Sequence, residues 1–527
     1  MDRRTLLRAG TGMAATAGWL TAYGGAPGRA AAPPRPRSPL SGASTTSRTA
    51  RGAAPRPADW TALDRGLGGG LIRPGDAAYS TARLLYNTRF DALRPAGIAY
   101  IANKADITEC LAFARRHSVP VSIRNGGHSY AGWSSGNGRL IIDVSELDRI
   151  ASSRTEATVG AGAKLIDVYS RLGAHGVTVP AGSCPTVGIS GLTLGGGHGV
   201  VSRAYGLTCD SLLSATLVTA DGRTLTCDKD RNRDLFWALR GAGNGNFGVV
   251  TELRFRTHKA PRAVSAHLRW PWTKAAAVIR AWQEWGPGAP DEIWSSAHLS
   301  AGAGGTPQVS VSVFSLGTYG DLQNAVDRLA DRVGAPASSV SLRRRSYQEA
   351  MTGYAGCASY TTEQCHLPGS TPGRRRAGAL KRETYAARSD FFVRSLSAQG
   401  IGTLVAATER FSRAGGSGSG SVTLTALGGA VNRVSPGATA FVHRRSRVLA
   451  QYLTSYPSGR SGSAQSAWLD ELHQSMRRHA SGAAYQNYAD AKLRDWRGAY
   501  YGPAADRLAK LKRRYDPDRV FDFPQAL

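Results

Sequence analysis

Three clusters of glycine constrain this 527-residue chain more than any other feature of it. The first is Arg124-Asn125-Gly126-Gly127-His128-Ser129-Tyr130. The second is Gly182-Ser183-Cys184-Pro185-Thr186-Val187-Gly188, followed by Leu194-Gly195-Gly196-Gly197-His198-Gly199. The third runs from Asp234-Leu235-Phe236-Trp237-Ala238-Leu239-Arg240-Gly241 to Asn246-Phe247-Gly248-Val249-Val250-Thr251. Adjacent glycines weaken the interior of a helix or a strand. They suit a backbone that lies against a ligand and turns its N–H groups toward phosphate oxygens. The first cluster follows an apolar strand, Val119–Ile123, so His128 stands beside whatever that turn holds. No Gly-Lys-Ser/Thr follows the triple glycine, which excludes a nucleoside-triphosphate loop, and the run is not a clean dinucleotide fingerprint. Taken singly, His128 also reads as a solvent-facing turn residue, Cys184 as a core thiol and the aromatic residues of the third cluster as core.

From about 98 to 258 short apolar strands alternate with helices. Ile98–Ala102, Leu140–Val144 and Phe247–Phe255 read as strands. Ile107–His117 has helical spacing, with Ile107, Cys110, Leu111 and Ala114 on one face. Leu165–His175 is a second helix, and Leu217–Thr226 is a hairpin around Asp221-Gly222. From about 259 to 450, extended runs such as Gln308–Phe314 and Ser421–Leu427 alternate with longer helices such as Asp321–Val333. That texture predicts an antiparallel sheet backed by helices, with Gly415–Ser421 as a surface loop. After about 460 the chain returns to helix and loop. The fold class expected is α+β, in two domains.

The formal charge of +29 is uneven: residues 1–58 hold nine Arg and one Asp. Arg outnumbers Lys 57 to 9, a skew that points to a GC-rich coding sequence more than to nucleic-acid binding. No stretch reaches the roughly 18 to 20 apolar residues of a membrane span. Arg3-Arg4 before a weakly apolar run, with Ala30-Ala31-Ala32 as a cleavage site, looks like a twin-arginine export signal over 1–32. Residues 33–58, rich in Pro, Arg, Ser and Ala, read as a disordered linker, with order beginning near Trp60. An exported protein can form disulfides, and Cys357 and Cys365 are close enough to close a small loop. A metal site using His366 lacks a second ligand pair of standard spacing.

The three glycine segments, in this order and spacing, resemble the berberine-bridge-enzyme family of the vanillyl-alcohol-oxidase-like flavoproteins. The resemblance runs from about Asn87 to Thr257 and returns at Tyr485-Gln486-Asn487-Tyr488-Ala489-Asp490 and Tyr515-Asp516-Pro517. It implies FAD-binding parts at 59–258 and 461–527 around a substrate domain at 259–460. It implies FAD bonded to His128 through the flavin C8 methyl and to Cys184 through C6. Arg124, Asn125, Gly126, Gly127, Ser129, Gly188, Gly191, Gly248 and Val250 would line the pyrophosphate and ring, His198 could touch the ribityl chain, and Tyr485 and Asn487 would lie at the flavin. Tyr488 would be the general base, its phenol lowered from pKa ~10 by a cationic neighbour or by the flavin. Tyr130 would face the substrate. Val187, three residues after the Cys, accompanies reactivity with O2 in the family. Where several members carry Glu or Tyr before Gly428-Gly429, this chain has Leu424-Thr425-Ala426-Leu427, and His443 sits in a segment read as structural.

The resulting expectation is a secreted oxidase. Hydride would pass from a carbohydrate or secondary-metabolite alcohol to flavin N5, and O2 would be reduced to H2O2. The substrate would be a small molecule or oligosaccharide, with no nucleic acid, no metal and no stable membrane insertion. Two rivals remain at this level. One is a flavin dehydrogenase using another acceptor. The other is a basic extracellular polyanion-binding protein, motivated by Arg343-Arg344-Arg345 and Arg374-Arg375-Arg376.

Overall fold

The computed structural model describes residues 54–414 and 416–527. The export signal and most of the linker lie outside them. Pro57–Gly66 is a helix that buries Trp60 and Leu63, so the last two residues assigned to the linker are helical.

Leu71–Ile72 (β1), Gly97–Tyr100 (β2), Val121–Arg124 (β3) and Leu140–Asp143 (β4) form a sheet in the order β1-β2-β4-β3, with β2, β4 and β3 parallel. The crossover between β2 and β3 is the helix Lys104–His117. Asn103 caps it by accepting from the N–H groups of Ala105 and Asp106, and Ile107, Cys110, Leu111 and Ala114 are buried on one face. A capped start and an apolar stripe at helical spacing are what a crossover helix needs to lie on a sheet.

Ile150–Ser152 (β5), Glu156–Gly160 (β6), Val177–Thr178 (β7), Leu212–Val218 (β8), Thr224–Asp228 (β9), Val249–Arg256 (β10) and His258–Lys259 (β11) follow. Five of them make a sheet ordered β5-β6-β10-β8-β9, and β7 pairs with β11. The hairpin β8–β9 turns at Asp221-Gly222, as the sequence predicts. Helix Leu165–Gly173 begins against the Cys184 loop: the N–H groups of Leu165 and Ile166 donate to the carbonyls of Val187 and Pro185. Opening N–H groups of a helix have no partner inside it, so the loop and the helix hold each other.

Ala263–Trp270 (β12), Ile293–Gly302 (β13), Gln308–Ser315 (β14), Ser339–Arg345 (β15), Tyr385–Phe392 (β16), Ser419–Ala426 (β17) and Val448–Ser455 (β18) form one antiparallel sheet, ordered β15-β12-β14-β13-β17-β18-β16. The Gly/Ser loop expected at 415–421 is shorter than the sequence suggests. Ser419 and Gly420 pair with both β13 and β18, and Gly420 lies against the rings of Phe411 and Trp468, where a side chain would not fit. The sheet is two-faced. Val264, Leu268, Val311, Val313, Val422 and Leu424 pack on helices Ala275–Trp285, Tyr319–Val333, Ala398–Arg413 and Ser463–Arg477. The alternating residues point the other way and are polar, the period-two pattern of an antiparallel sheet covered on one side.

After Arg477 the chain returns to the first core. Tyr500, Leu508, Phe521 and Leu527 pack there with Leu253 and Phe255. The Lys512 ammonium is buried and donates to the carbonyls of Asn246 and Phe521 and to Asp516, while the Leu527 N–H donates to Asn246 Oδ1. The chain end is thus locked to the third glycine cluster. Among the described residues no helix is long and apolar enough to cross a membrane.

Candidate active site

All seventeen candidate residues line the wall of one cavity of about 1800 Å³. It lies between the first two sheets and the polar face of the seven-stranded sheet. A pocket for a single drug-sized ligand occupies roughly 300–1,000 Å³, so this one has room for a large group and a second molecule beside it.

The His128 and Cys184 loops face each other across that cavity. Gly126 makes their approach feasible: a Cβ there would stand 2.3 Å from the Thr186 carbonyl. Gly127 has φ +68°, open to glycine with little strain. The Asn125 amide fastens the turn, donating to the carbonyl of Ala161 and to Ser190 Oγ while its Oδ1 accepts from Lys164 Nζ at 2.5 Å. The His128 ring stacks on Tyr86 at 4.0 Å, and its Nε2 is 2.8 Å from Thr186 Oγ1, which leaves Nδ1 for another partner. Burial, with Lys164 nearby, lowers its pKa to about 3, so the imidazole is neutral. Cys184 is the one free cysteine with exposed surface. That surface opens into the cavity, and protein encloses the remaining sides. Burial, then the Glu383 carboxylate, push its thiol up to about 11. The other free cysteines, Cys110, Cys209 and Cys227, are core thiols.

Where the two halves of the cavity meet stands a group of aromatic rings. Tyr488 and Tyr130 stack at 4.9 Å, and Tyr485 meets Tyr488 edge-on. Tyr130 Oη accepts from Gln451 Nε2 at 2.7 Å. Tyr488 Oη lies 2.8 Å from His198 Nε2. Burial lowers His198 to about 4, so the ring is neutral, and in the tautomer with its proton on Nδ1 the Nε2 accepts the phenol's hydrogen. Of the two sources expected to lower Tyr488, a cation or the flavin, no cation among the described residues acts on it. Burial first, then the neighbouring phenols Tyr130 and Tyr485, raise it well above the usual range. His198, which on the sequence could touch the ribityl chain or fill space, is a direct partner of Tyr488. Asn487 is held from several sides: its Oδ1 accepts from Asn244, and its Nδ2 donates to the Leu192 carbonyl and to Tyr485 Oη. It organises the Gly195–Gly197 turn, whose Gly197 N–H donates to Tyr485 Oη.

Sequence reasoning missed Tyr86, Lys164, Glu383, Tyr385 and Gln451 at this site, because only the fold brings them there. It also missed the cavity floor, the polar face of the large sheet. Ser296, His298, Ser310, Ser312, Ser421 and Thr423 point into the cavity. Ser296 Oγ is 2.8 Å from His298 Nε2, and burial lowers His298 to about 4. Of the Leu424–Leu427 stretch, Thr425 lines the cavity, and it carries no acid. His443 is structural: its Nε2 donates to the Tyr500 carbonyl at 2.9 Å, and its ring stacks on Phe391. His366 pairs with Asp167 and the Thr362 carbonyl, beside a Cys357–Cys365 disulfide.

The wall carries buried polar atoms with no hydrogen-bond partner among the described residues, among them Arg124 Nη1, Ser134 Oγ, His198 Nδ1 and Asn244 Oδ1. Buried polar atoms are seldom left unpaired. Four of them around one cavity fit a large polar ligand such as a dinucleotide. Arg124 would reach it with the part of its guanidinium not held by Asp143.

Residues 95–228 match the FAD binding domain family, and residues 484–527 match the berberine and berberine-like family. An uncharacterised FAD-linked oxidoreductase of Bacillus subtilis is 32% identical, over 88% of this chain and 97% of its own. The chitooligosaccharide oxidase of Gibberella zeae is 31% identical, over 86% and 91%. The solved structure of berberine-bridge-enzyme-like 1 from Physcomitrella patens superposes with a TM-score of 0.80, at 30% identity over 89% of this chain and 98% of that one. With a cavity suited to a dinucleotide and relatives that match it almost end to end, this chain belongs to the berberine-bridge-enzyme-like family of FAD-dependent oxidoreductases.

Proposed function

We propose that this protein is an exported oxidase that holds FAD on two covalent bonds and oxidises a hydroxyl group of a carbohydrate. One observation carries the reading: the His128 and Cys184 loops open into the same cavity as a sheet face rich in hydroxyls and neutral imidazoles, and Tyr488 stands where the two meet. His128 would hold the cofactor through a ring nitrogen and Cys184 through its sulfur. Arg124, Ser129, Gly188, Gly191, Gly248 and Val250 would line it. Bound there, FAD would supply the hydride acceptor, a negative charge that strengthens nearby bases, and the electrons that reduce O2 to H2O2.

The chain's own residues handle the proton. His198 accepts the Tyr488 hydrogen, so the lone pairs of the phenol are free to meet a substrate hydroxyl. As that hydroxyl proton reaches Tyr488 Oη, the phenol's own proton has His198 Nε2 as its destination. Gln451 fixes Tyr130, and Tyr130 stacks on Tyr488, so the base is held in one orientation before substrate arrives. Hydroxyl-lined floors suit polyhydroxylated ligands because each sugar hydroxyl both donates and accepts. The similarity to a chitooligosaccharide oxidase favours the same class. Export through the twin-arginine route accords with a disulfide at Cys357–Cys365 and with a cofactor loaded before secretion.

The test is an absorbance spectrum of denatured, washed protein, followed by a peroxide assay over sugars and alcohols. Yellow colour that stays with the polypeptide and H2O2 release with a sugar are expected. Colour lost on washing sinks the covalent attachment. Turnover without peroxide turns the enzyme into a dehydrogenase with another acceptor.

A further inference from the structure

The Arg343-Arg344-Arg345 run is not a uniform surface tract. It ends β15, the edge strand of the large sheet, and strand alternation divides it. Arg343 and Arg345 line the cavity, and Arg344 does not. Arg269, on the neighbouring strand β12, lines the same end, with its Nε donating to His267 Nε2 at 3.2 Å. Among the described residues none of these three guanidiniums forms an ion pair. Glu349, whose charge Arg345 feels, is engaged by Ser346 at the start of a helix.

Edge strands often carry charge that keeps other chains from pairing with them. That role does not need two guanidiniums on one face, roughly 7 Å apart, turned into a cavity without a carboxylate between them. Arginine's fork matches a carboxylate in two parallel hydrogen bonds. The wall contributes two carboxylates in all, Glu383 and Asp522, and Glu383 is raised by burial. The floor between is neutral: serines, threonines, Gln451 and two histidines whose pKa burial lowers. Gln451 lies on β18, under Tyr130, and five strand spacings separate β18 from β15. That span is about 24 Å at 4.8 Å per spacing, the reach of several linked sugars.

We propose that the substrate is an acidic oligosaccharide, its reacting sugar at Tyr488 and a uronate carboxylate several sugars away on Arg343 and Arg345. This rests on the carbohydrate reading above and goes beyond it in naming a charged class and the residues that select it.

The probes are xylotetraose, xylotetraose bearing one glucuronic acid on its non-reducing end, and the methyl ester of that acid. Each is titrated by calorimetry into anaerobic holoprotein, and initial rates are measured in parallel. The acid should bind about tenfold more tightly than the ester, the loss expected for one charge-assisted hydrogen bond. That advantage should shrink as salt rises from about 0.05 to 0.5 M. Replacing Arg343→Gln with Arg345→Gln should remove it and leave xylotetraose within about twofold. Arg344→Gln, off the cavity, should retain it. Binding of all three sugars without an acid advantage, or an equal effect of Arg344→Gln, overturns this proposal and leaves the carbohydrate reading standing. Binding of none of the three overturns both.

Discussion

Tyr488 illustrates how a side chain's chemistry is set by what packs around it. In water a phenol near pKa ~10 is a poor base, and the family resemblance calls for a cation or the flavin to help it. The folded protein supplies a neutral imidazole at hydrogen-bond distance and a second phenol on the ring face. In the proposed mechanism Tyr488 would therefore work as a hydrogen-bonded relay rather than as a preformed phenolate. Tyr488→Phe keeps the stacking and removes the proton path. We expect flavin reduction to slow by about 10²- to 10⁴-fold with the cofactor still bound. Anaerobic stopped-flow reduction checks this, and near-normal reduction would remove Tyr488 from the role of base. Cys184 carries a similar lesson. Its identity is legible in the sequence only through the family motif. That it opens into a cavity, unlike Cys110, Cys209 and Cys227, is visible only in the fold.

At the scale of elements, the His128 and Cys184 loops, proposed to meet the cofactor, are held by backbone contacts more than by side chains. Gly126 lies against the Thr186 carbonyl, and the carbonyls of Pro185 and Val187 accept the first N–H groups of helix Leu165–Gly173. A single methyl group at Gly126 would force the His128 and Cys184 loops apart. Gly126→Ala is expected to destabilise the protein by about 2 kcal/mol. It should also leave a fraction of the chains with the flavin bonded at one loop only. Intact-mass spectrometry after digestion, read with thermal melting, reports both effects. A variant with wild-type mass distribution and melting would show that the approach tolerates a Cβ. The glycines themselves are plain in the sequence. Their partners across space are not, because the carbonyl at 186 is sixty residues away and only the fold sets the distance.

Across the whole molecule, burial of imidazoles couples stability to pH. His198, His258, His298 and His443 are each lowered to about 4, mainly by burial. Unfolded, they titrate near pH 6.5. Between those values the unfolded chain binds more protons than the folded one, so stability falls as pH drops from about 6.5 to about 4. Above that window both states are neutral there and the histidines contribute no slope. Scanning calorimetry should show Tm lower by about 10 °C at pH 4.5 than at pH 7.5. A flat profile would mean that these rings are solvated.

Local chemistry made much of this protein legible before any coordinates. Capped helices, period-two strands and the hairpin at Asp221-Gly222 follow from interactions a few residues apart, and each element falls within a few residues of its expected bounds. The glycine clusters and the His, Cys and Tyr beside them announce a backbone wrapped around a flat, charged ligand. What the tertiary structure alone decided was which faces those elements turn inward. The polar floor, the Tyr488–His198 pair and the division of Arg343 and Arg345 from Arg344 all depend on strand register and on contacts between residues tens to hundreds of positions apart. Such contacts are fixed by packing of the whole core, and no local pattern of residues encodes them.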